Sequence, residues 1–304
     1  MYFIKRLAFV VPLLLVISFL AFLLMHAAPG GPFDRERAPA SPEIERSLKA
    51  KYHLDEPVLT QYCRYLGGLL HGDFGPSLKY RNHTVGDIIR QALPVSFTLG
   101  ALSFGLALGL GIPWGILMAV GRGRWTDHLW GLLALLLVCI PGLVLGPLLI
   151  LVFAVHWELF PVAQWETMSH AVLPMLTLGL FFAGRVARLM RESMTTTLQA
   201  EFITAARAKG LSESAILLRH ALRLAILPVV SYSGPMLADL LTGSFVVESI
   251  FQIPGLGGFF VNSSFNKDYP MLMGLVLLYA FLLVMLNLLV DVLYQVLDRR
   301  VKYD

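Results

Sequence analysis

The sequence predicts an all-α membrane protein with six transmembrane helices, and two observations carry that prediction. First, the 304 residues are 57% hydrophobic and only 14% charged, too few charged side chains to cover a soluble globule of this size. Second, six apolar stretches have about the 20 residues that cross a bilayer. These stretches run over 7–28, 95–120, 129–155, 171–190, 229–251 and 271–297.

The first stretch follows Lys5 and Arg6 and ends in "HAAPGG", which resembles a signal peptide with a small-residue cleavage site. Its apolar run from Leu7 to Met25 is longer than the roughly 7 to 15 residues of a signal core. We therefore expect a retained transmembrane helix.

Lysine and arginine positions predict the orientation. The short loops 156–170 and 252–270 carry only Lys267. Nine of the 24 lysines and arginines lie in the long loop after the first helix, and the other 14 lie on the opposite side of the membrane from these loops. Positive residues favour the cytosolic side. Both termini are thus expected in the cytosol of a multi-pass protein in the cytoplasmic (inner) membrane.

This topology predicts four parts. They are an N-terminal transmembrane helix (1–28), a periplasmic loop (29–94), a core transmembrane domain (95–297) whose cytosolic loop covers 191–228, and a cytosolic tail (298–304). The periplasmic loop is expected to hold short helices. Their sequences are "EIERSLKAKY" after Ser41-Pro42, "PVLTQYCRYLGGLL", and "TVGDIIRQALP", in which Thr84 and Asp87 suggest a capping box.

Glycine and proline predict details of the spans. Gly105 with Gly109, and Gly111 with Gly115, form two G-x-x-x-G steps that indicate close helix packing. "IPGLVLGP" is expected to break the third span at Pro141 and Pro147, which transporters and channels tolerate where protein or water satisfies the freed backbone groups.

The sequence lacks several motifs that are typical of enzymes and of metal or nucleotide sites. The chain has no G-x-x-x-x-G-K-[ST] phosphate loop, H-E-x-x-H, C-x-x-C or G-x-S-x-G, and no interleaved basic and aromatic patches for nucleic acid. We therefore expect no catalytic residues, metal site or cofactor in this chain. An intramembrane hydrolase would require His220 to meet Ser231 or Ser233.

Ionisable or polar residues inside spans are candidates for function, because burying them in hydrocarbon is costly. Asp239 and Asn287 are the candidates for a substrate path. For Asp239, a structural hydrogen bond or ion pair is an equal alternative. Arg185, Arg188 and Arg191 recur every three residues and suit either a membrane anchor or contact with a cytosolic partner.

The cytosolic loop predicts two helices. One runs over 195–209 and ends with Gly210 at the C′ position, followed by apolar Leu211. Ser212 caps a second, "ESAILLRHALRLAIL", whose apolar stripe precedes Pro228. The small side chains between them suit close approach by another protein. A helical hairpin packed on its own bundle is the alternative.

At this loop the chain resembles the permease subunits of bacterial ATP-binding-cassette (ABC) importers, whose EAA motif reads E-A-A-x-x-x-G and is later followed by I-x-L-P. The matching stretches are 204–210, with Thr204 where the general motif has Glu, and 226–228 after a longer spacing. Both departures are typical of the peptide-importer branch. Other blocks similar to its B-type oligopeptide permease are "APGGPFDRER" (28–37), "KYHLDEPVLTQY" (51–62), "GDFGPSLKY" (72–80), "TGSFVVESIFQIPGLG" (242–257) and "DVLYQVLD" (291–298).

The resemblance implies a type I importer permease without enzymatic activity. The implied partners are a homologous C-type permease, two ABC ATPase subunits that carry ATP and Mg²⁺, a periplasmic or lipid-anchored binding protein, a peptide and membrane lipid. Its coupling helix would dock on an ATPase through Thr204, Ala205, Ala206, Arg207, Lys209 and Gly210. Alternatives are import of dipeptides, nickel or glutathione, or a stand-alone channel or secondary transporter. Peptide length and preference do not follow from the sequence.

Overall fold

The computed structural model describes residues 2–27, 55–80, 82–242 and 245–297. This part of the chain consists of helices joined by loops and contains no β-strand, apart from one isolated bridge between Pro76 and Thr84. The all-α prediction is therefore confirmed.

The α-helices are numbered here in chain order, and two π-helical segments interrupt the series. The α-helices are α1 (Tyr2–Ala27), α2 (Val58–Leu70), α3 (Val85–Val120), α4 (Trp125–Cys139), α5 (Gly142–Leu149), α6 (Met168–Leu198), α7 (Glu201–Ala208), α8 (Glu213–Ala215), α9 (Leu222–Ala225), α10 (Leu227–Thr242), α11 (Phe245–Ile250), α12 (Leu256–Asn266) and α13 (Tyr269–Leu297). The π-helical segments are Ile150–His156, after α5, and Ile216–Ala221, between α8 and α9.

Six membrane spans agree with the prediction when bent helices are counted as single spans. Four helices, α1, α3, α6 and α13, are long and apolar enough to cross a bilayer unbroken. Two more spans arise if each bent pair counts as one: 125–156, bent by 104°, and 213–250, bent by 50°. Hydrocarbon offers no hydrogen-bond partners, so spanning elements satisfy their backbone groups internally as helices.

The third span is broken at Pro141, one of the two prolines at which a break is predicted. α4 ends at Cys139, Ile140 is extended, and Pro141 precedes α5 with ψ 142°. Pro147 lies within α5, which continues into the π-helical segment 150–156. The expected second break is therefore wrong, because the helix continues through Pro147.

The chain forms two compact units. One comprises residues 1–95 and 255–284, and the other comprises 96–254 and 285–304. In the first unit, Phe22 and Met25 of α1 pack with Tyr62 of α2 and Met273 of α13. A second apolar cluster joins the start of α3 to α12 and α13.

Buried Asp268 organises the first unit's turn of "GDFGPSLKY". Its carboxylate accepts a hydrogen bond from the Ser77 hydroxyl and from the backbone N–H groups of Leu78 at 3.1 Å and Lys79 at 3.3 Å. It also accepts one from Met271 N–H at 3.3 Å. Because a buried carboxylate must be satisfied by donors, this residue ties the turn to the start of α13.

The helices predicted for the loop after the first span are confirmed where they are described. α2 matches the second predicted helix, whereas the first, at 43–52, lies outside the described residues. The Thr84–Asp87 capping box is present, with Asp87 N–H donating to Thr84 Oγ1 at 3.1 Å and Thr84 N–H to Asp87 Oδ2 at 3.2 Å. The capped helix continues without interruption as α3.

The second unit is built around α6, against which α3 packs through two glycines. A Cβ at Gly115 would lie 2.5 Å from the Ala187 carbonyl oxygen, and one at Gly111 would lie 2.7 Å from Val186. Gly105 and Gly109 have open space instead. One of the two G-x-x-x-G steps therefore makes the expected close contact.

Candidate docking site

α7 carries the candidate docking residues and begins later than the sequence predicts. A helix over 195–209 is expected, but α6 continues to Leu198, and the chain breaks at Gln199–Ala200 before α7 starts at Glu201. Thr196 and Thr197 donate their hydroxyls to the carbonyl oxygens four residues earlier, at 3.1 and 2.8 Å. Such back-bonding weakens a helix, and it accounts for the break at this place.

The end of α7 is the predicted Schellman motif. Gly210 has φ +77°, its N–H donates to the Arg207 carbonyl at 2.9 Å, and the Leu211 N–H donates to the Ala206 carbonyl at 3.4 Å. Glycine adopts this left-handed conformation without a Cβ penalty. Gly210 therefore sets the direction in which the chain leaves α7.

One face of α7 is buried in its own bundle. Ile203 is fully buried and Ala206 is 7% exposed, and both belong to the apolar cluster that includes Met190 and Met194 of α6. The side chains outside this buried face are exposed, namely those of Thr204, Ala205, Arg207, Ala208 and Lys209. Gly210, which follows the helix, is also exposed. Of the six candidate docking residues, Ala206 thus faces inward, and the other five are accessible.

An ion pair closes the turn after α7. Arg207 Nε lies 2.8 Å from Glu213 Oε1, and Arg207 Nη2 lies 3.2 Å from Glu213 Oε2. The Glu213 carboxylate raises the pKa of the Arg207 guanidinium above its usual range. Arg207 therefore joins α7 to α8 within the chain while its side chain stays partly accessible.

The second half of the loop is not one regular helix. Ser212 caps α8 by accepting from the Ala215 N–H at 3.4 Å, and the π-helical segment 216–221 follows. Pro228 lies in the first turn of α10, where a missing N–H costs no helical hydrogen bond. The predicted cap at Ser212 is confirmed. The predicted second helix is present over 213–225 and ends before Pro228, but it contains a π-helical segment that the sequence did not predict.

The three regularly spaced arginines have three different environments. Arg191 forms a bidentate ion pair with buried Asp127 of α4, with Nε–Oδ1 2.7 Å and Nη2–Oδ2 2.8 Å. The guanidinium of Arg185 stacks 4.4 Å from the centre of the Phe181 ring and lies 3.5 Å from the Tyr232 hydroxyl. Arg188 is exposed and lines a cavity.

The two candidate path residues both lie in the second unit but have different surroundings. Asp239 of α10 is exposed. Asn287 of α13 is half-buried, and its Oδ1 would lie 3.0 Å from a Cβ added at Gly234 of α10. Asn287 therefore packs against the backbone of α10, whereas Asp239 presents a carboxylate to the surface of this chain.

Sequence reasoning missed a second acidic residue of the fifth span, Glu248. It is buried, and it accepts a hydrogen bond of 2.8 Å from the Ser96 hydroxyl of α3. The available signal was the same one that identified Asp239, a carboxylate within an apolar stretch. Glu248 lies near the predicted end of the span, at residue 251, where a charged side chain is expected to reach water.

The structure does not assemble a serine and histidine pair in the part of the chain that it describes. Ser231 and Ser233 donate to the carbonyl oxygens of Leu227 and Val229, at 3.1 and 2.8 Å. Neither has His220 as a hydrogen-bond partner. Among the described residues, no group of three or more His, Cys, Asp or Glu side chains is placed to hold a metal ion.

Two family models match the chain. Residues 111–303 match the family described as the binding-protein-dependent transport system inner membrane component. Residues 1–100 match the N-terminal model of the corresponding membrane component.

Curated relatives are similar over nearly the whole length. The oligopeptide transport system permease protein OppB of Haemophilus influenzae is 42% identical, over 98% of each chain. The protein of the same name in Escherichia coli K12 is 41% identical over 99% of each chain. The dipeptide transport system permease protein DppB of Bacillus subtilis is 42% identical over 99% of this chain and 97% of the relative.

A solved structure shares the fold. The MetNI methionine ABC transporter in an inward-facing conformation aligns with a TM-score of 0.58 and 19% sequence identity. The alignment covers 70% of this chain and 97% of that chain. With the family model matching more than half of the sequence, and relatives more than 40% identical over nearly all of it, the chain belongs to the inner membrane components of binding-protein-dependent transport systems.

Proposed function

We propose that this chain is the membrane-spanning permease subunit of an ABC importer that moves oligopeptides across the cytoplasmic membrane, with both of its termini in the cytosol. The observation that carries the proposal is the 42% identity with an oligopeptide permease over 98% of both chains. The chain itself supplies no ATP-binding motif, so hydrolysis belongs to separate ATPase subunits that bind ATP and Mg²⁺. A second homologous permease and a peptide-binding protein complete the proposed assembly.

In this proposal the exposed face of α7 docks on an ATPase subunit. Thr204 and Ala205 are exposed and small, so another protein surface can approach the helix backbone closely. Arg207, Lys209 and Gly210 border the same face. Ala206 supports the site from the buried side rather than touching the partner.

The packing of α7 suits the transmission of movement. Ile203 and Ala206 lie in one apolar cluster with Met190 of α6 and with Ala221 and Ala225, which precede α10. Packed side chains at interior density are displaced together rather than compressed. A push on α7 from a closing ATPase pair would therefore reach both α6 and α10, the elements whose rocking would change access to the substrate path.

The docking role is tested by enlarging Ala205, whose side chain is exposed and whose backbone is ordinary helix. Ala205→Trp is expected to abolish co-purification of the ATPase subunits and to reduce peptide uptake at least tenfold, while the chain stays in the membrane at its normal amount. Ala205→Ser is the matched control, because it preserves the small size and should retain both activities. Gly210 is less suitable, because any side chain there strains the backbone.

Normal uptake and normal ATPase retention by Ala205→Trp would refute the docking assignment. Uptake by cells that contain this chain but lack all candidate ATPase subunits would instead favour a stand-alone channel or secondary transporter.

A dipeptide importer is the second candidate, because the DppB permease of Bacillus subtilis is as similar to this chain as the oligopeptide permease of Haemophilus influenzae, at 42% identity each. Competition distinguishes the two. An oligopeptide importer should take up a labelled tetrapeptide, and unlabelled pentapeptide should suppress that uptake. A dipeptide importer should take up a labelled dipeptide, and only unlabelled dipeptide should suppress that uptake.

A further inference from the structure

A polar cavity of about 540 Å³ opens in the second unit among α3, α4 and α6. α4 and α6 run antiparallel there, since Asp127 meets Arg191 and the carbonyl of Ala134 faces Gly184. Leu135 therefore lies further into the bundle than Thr195, which is one turn beyond Arg191. The cavity joins an apolar wall to a polar opening.

Two arginines give the opening an excess of positive charge. Arg122 and Arg188 line the cavity, and the guanidinium of neither has an ion-pair or hydrogen-bond partner among the residues that the structure describes. Arg191 also lines it, but its charge is compensated by Asp127. Glu192 is the one carboxylate in the lining, so one positive charge is left over.

The cavity lies at the depth of a membrane interface. Trp125, three residues after Arg122 and at the start of α4, is 74% exposed. Exposed tryptophan is typical of the level of the lipid headgroups. From that level Leu135 extends toward the hydrocarbon, while Thr195 and Gln199 extend toward water.

We propose that this cavity binds a phosphate group, and that the headgroup of an acidic phospholipid of the inner leaflet supplies it. Guanidinium groups match phosphate oxygens in geometry and charge, and the neighbouring Thr195 hydroxyl adds a donor. Basic pockets between transmembrane helices on the cytoplasmic side are suited to anionic headgroups. The apolar wall at Leu135 distinguishes this from a site for a soluble anion, because it offers a surface for an acyl chain.

This inference goes beyond the proposed function and depends only on the orientation in the inner membrane, not on the substrate. Its test needs neither peptide nor ATP. A failure of peptide uptake would therefore not contradict the phosphate site. A failure to bind phospholipid would likewise not contradict the proposed transport function.

The experiment measures phospholipid bound to the full chain, purified in detergent with the subunits that accompany it, by native mass spectrometry. Phosphatidylglycerol, phosphatidylcholine and inorganic phosphate are titrated separately. Arg122→Gln/Arg188→Gln is compared with wild type and with Arg185→Gln. Arg185 is the matched control, since it is an exposed arginine on the same helix as Arg188 but does not line the cavity.

Wild type and Arg185→Gln should bind phosphatidylglycerol with equal affinity and discriminate against phosphatidylcholine. The double variant should bind it about twenty-five-fold more weakly, from about fivefold for each arginine. Binding of inorganic phosphate with the same arginine dependence, without retention of phosphatidylglycerol, would support a phosphate site and overturn the lipid source.

Two results would overturn the proposal altogether. One is equal retention of phosphatidylglycerol by the double variant, and the other is equal binding of phosphatidylcholine by wild type. If the double variant fails to fold, the salt dependence of wild-type binding remains decisive. Retention that does not fall between low and high ionic strength would contradict a site based on two arginines.

Discussion

Gly115 determines how closely α3 approaches α6, and replacing it with alanine tests that contact directly. The added Cβ would lie 2.5 Å from both the Ala187 carbonyl oxygen and Met190 Cβ, and 3.0 Å from the Arg191 backbone nitrogen. Carbon atoms in favourable contact are about 3.5 to 4.0 Å apart. The two helices must therefore separate by about 1 Å at this point, because backbone atoms cannot rotate away.

The expected cost follows from two opposing effects. Overpacking of this kind destabilises by about 1 to 3 kcal/mol, and a clash with backbone belongs at the upper end. Replacing glycine by alanine within a helix recovers about 1 kcal/mol. The net loss for Gly115→Ala is thus about 2 kcal/mol, which corresponds to a Tm lower by about 4 to 8 °C.

Gly109→Ala is the matched control, because a Cβ at Gly109 has no heavy atom within 4 Å. It should leave the Tm unchanged or raise it slightly. Both variants are heated in detergent, and the fraction of monodisperse protein is measured by size-exclusion chromatography. Equal Tm values for the two variants, or a more stable Gly115→Ala, would refute the reasoning from close packing.

Three further predictions concern carboxylates. Asp127→Ala should lower the free energy of unfolding by about 1 to 3 kcal/mol. The loss is smaller than for a fully buried ion pair, because the Arg191 side chain is partly exposed. An unchanged Tm would contradict this prediction. Asp268→Ala should release the turn at Ser77 and speed protease cleavage there in the detergent-purified protein, whereas wild-type cleavage rates would show that the carboxylate does not hold the turn. Asp239→Asn should change peptide uptake without changing protein abundance, and unaltered uptake would exclude Asp239 from the path.

Much of the fold was predictable because membrane spans are identified by the length and the apolar composition of a stretch. The six stretches, the break at Pro141 and the glycine stop at Gly210 each rest on local physics, namely the bilayer thickness, a missing N–H and a positive φ. These features depend little on the rest of the molecule.

Other features depend on neighbours that a single sequence does not show. The spacing of Gly105 with Gly109 equals that of Gly111 with Gly115, but only the second pair meets another helix. Ala206 and Ala205 are the same residue type, but only Ala206 is buried, because it belongs to the apolar cluster that also contains Met194 and Ile216. The break before α7 had a local signal in the three consecutive threonines, which the interpretation as one helix from residue 195 overlooked.

The π-helical segment 216–221 changes the spacing between the buried positions of its helix. The buried positions step by five from Ile216 to Ala221, and then by four to Ala225 and Val229. A π turn holds one more residue than an α turn, so the segment is equivalent to an α-helix that has accepted a single-residue insertion. Deletion of one exposed residue there, such as Leu218, would give a uniform spacing of four and keep the same side of the helix toward the bundle. Length variation of one residue is therefore compatible with this loop at a point where ordinary helical geometry would forbid it.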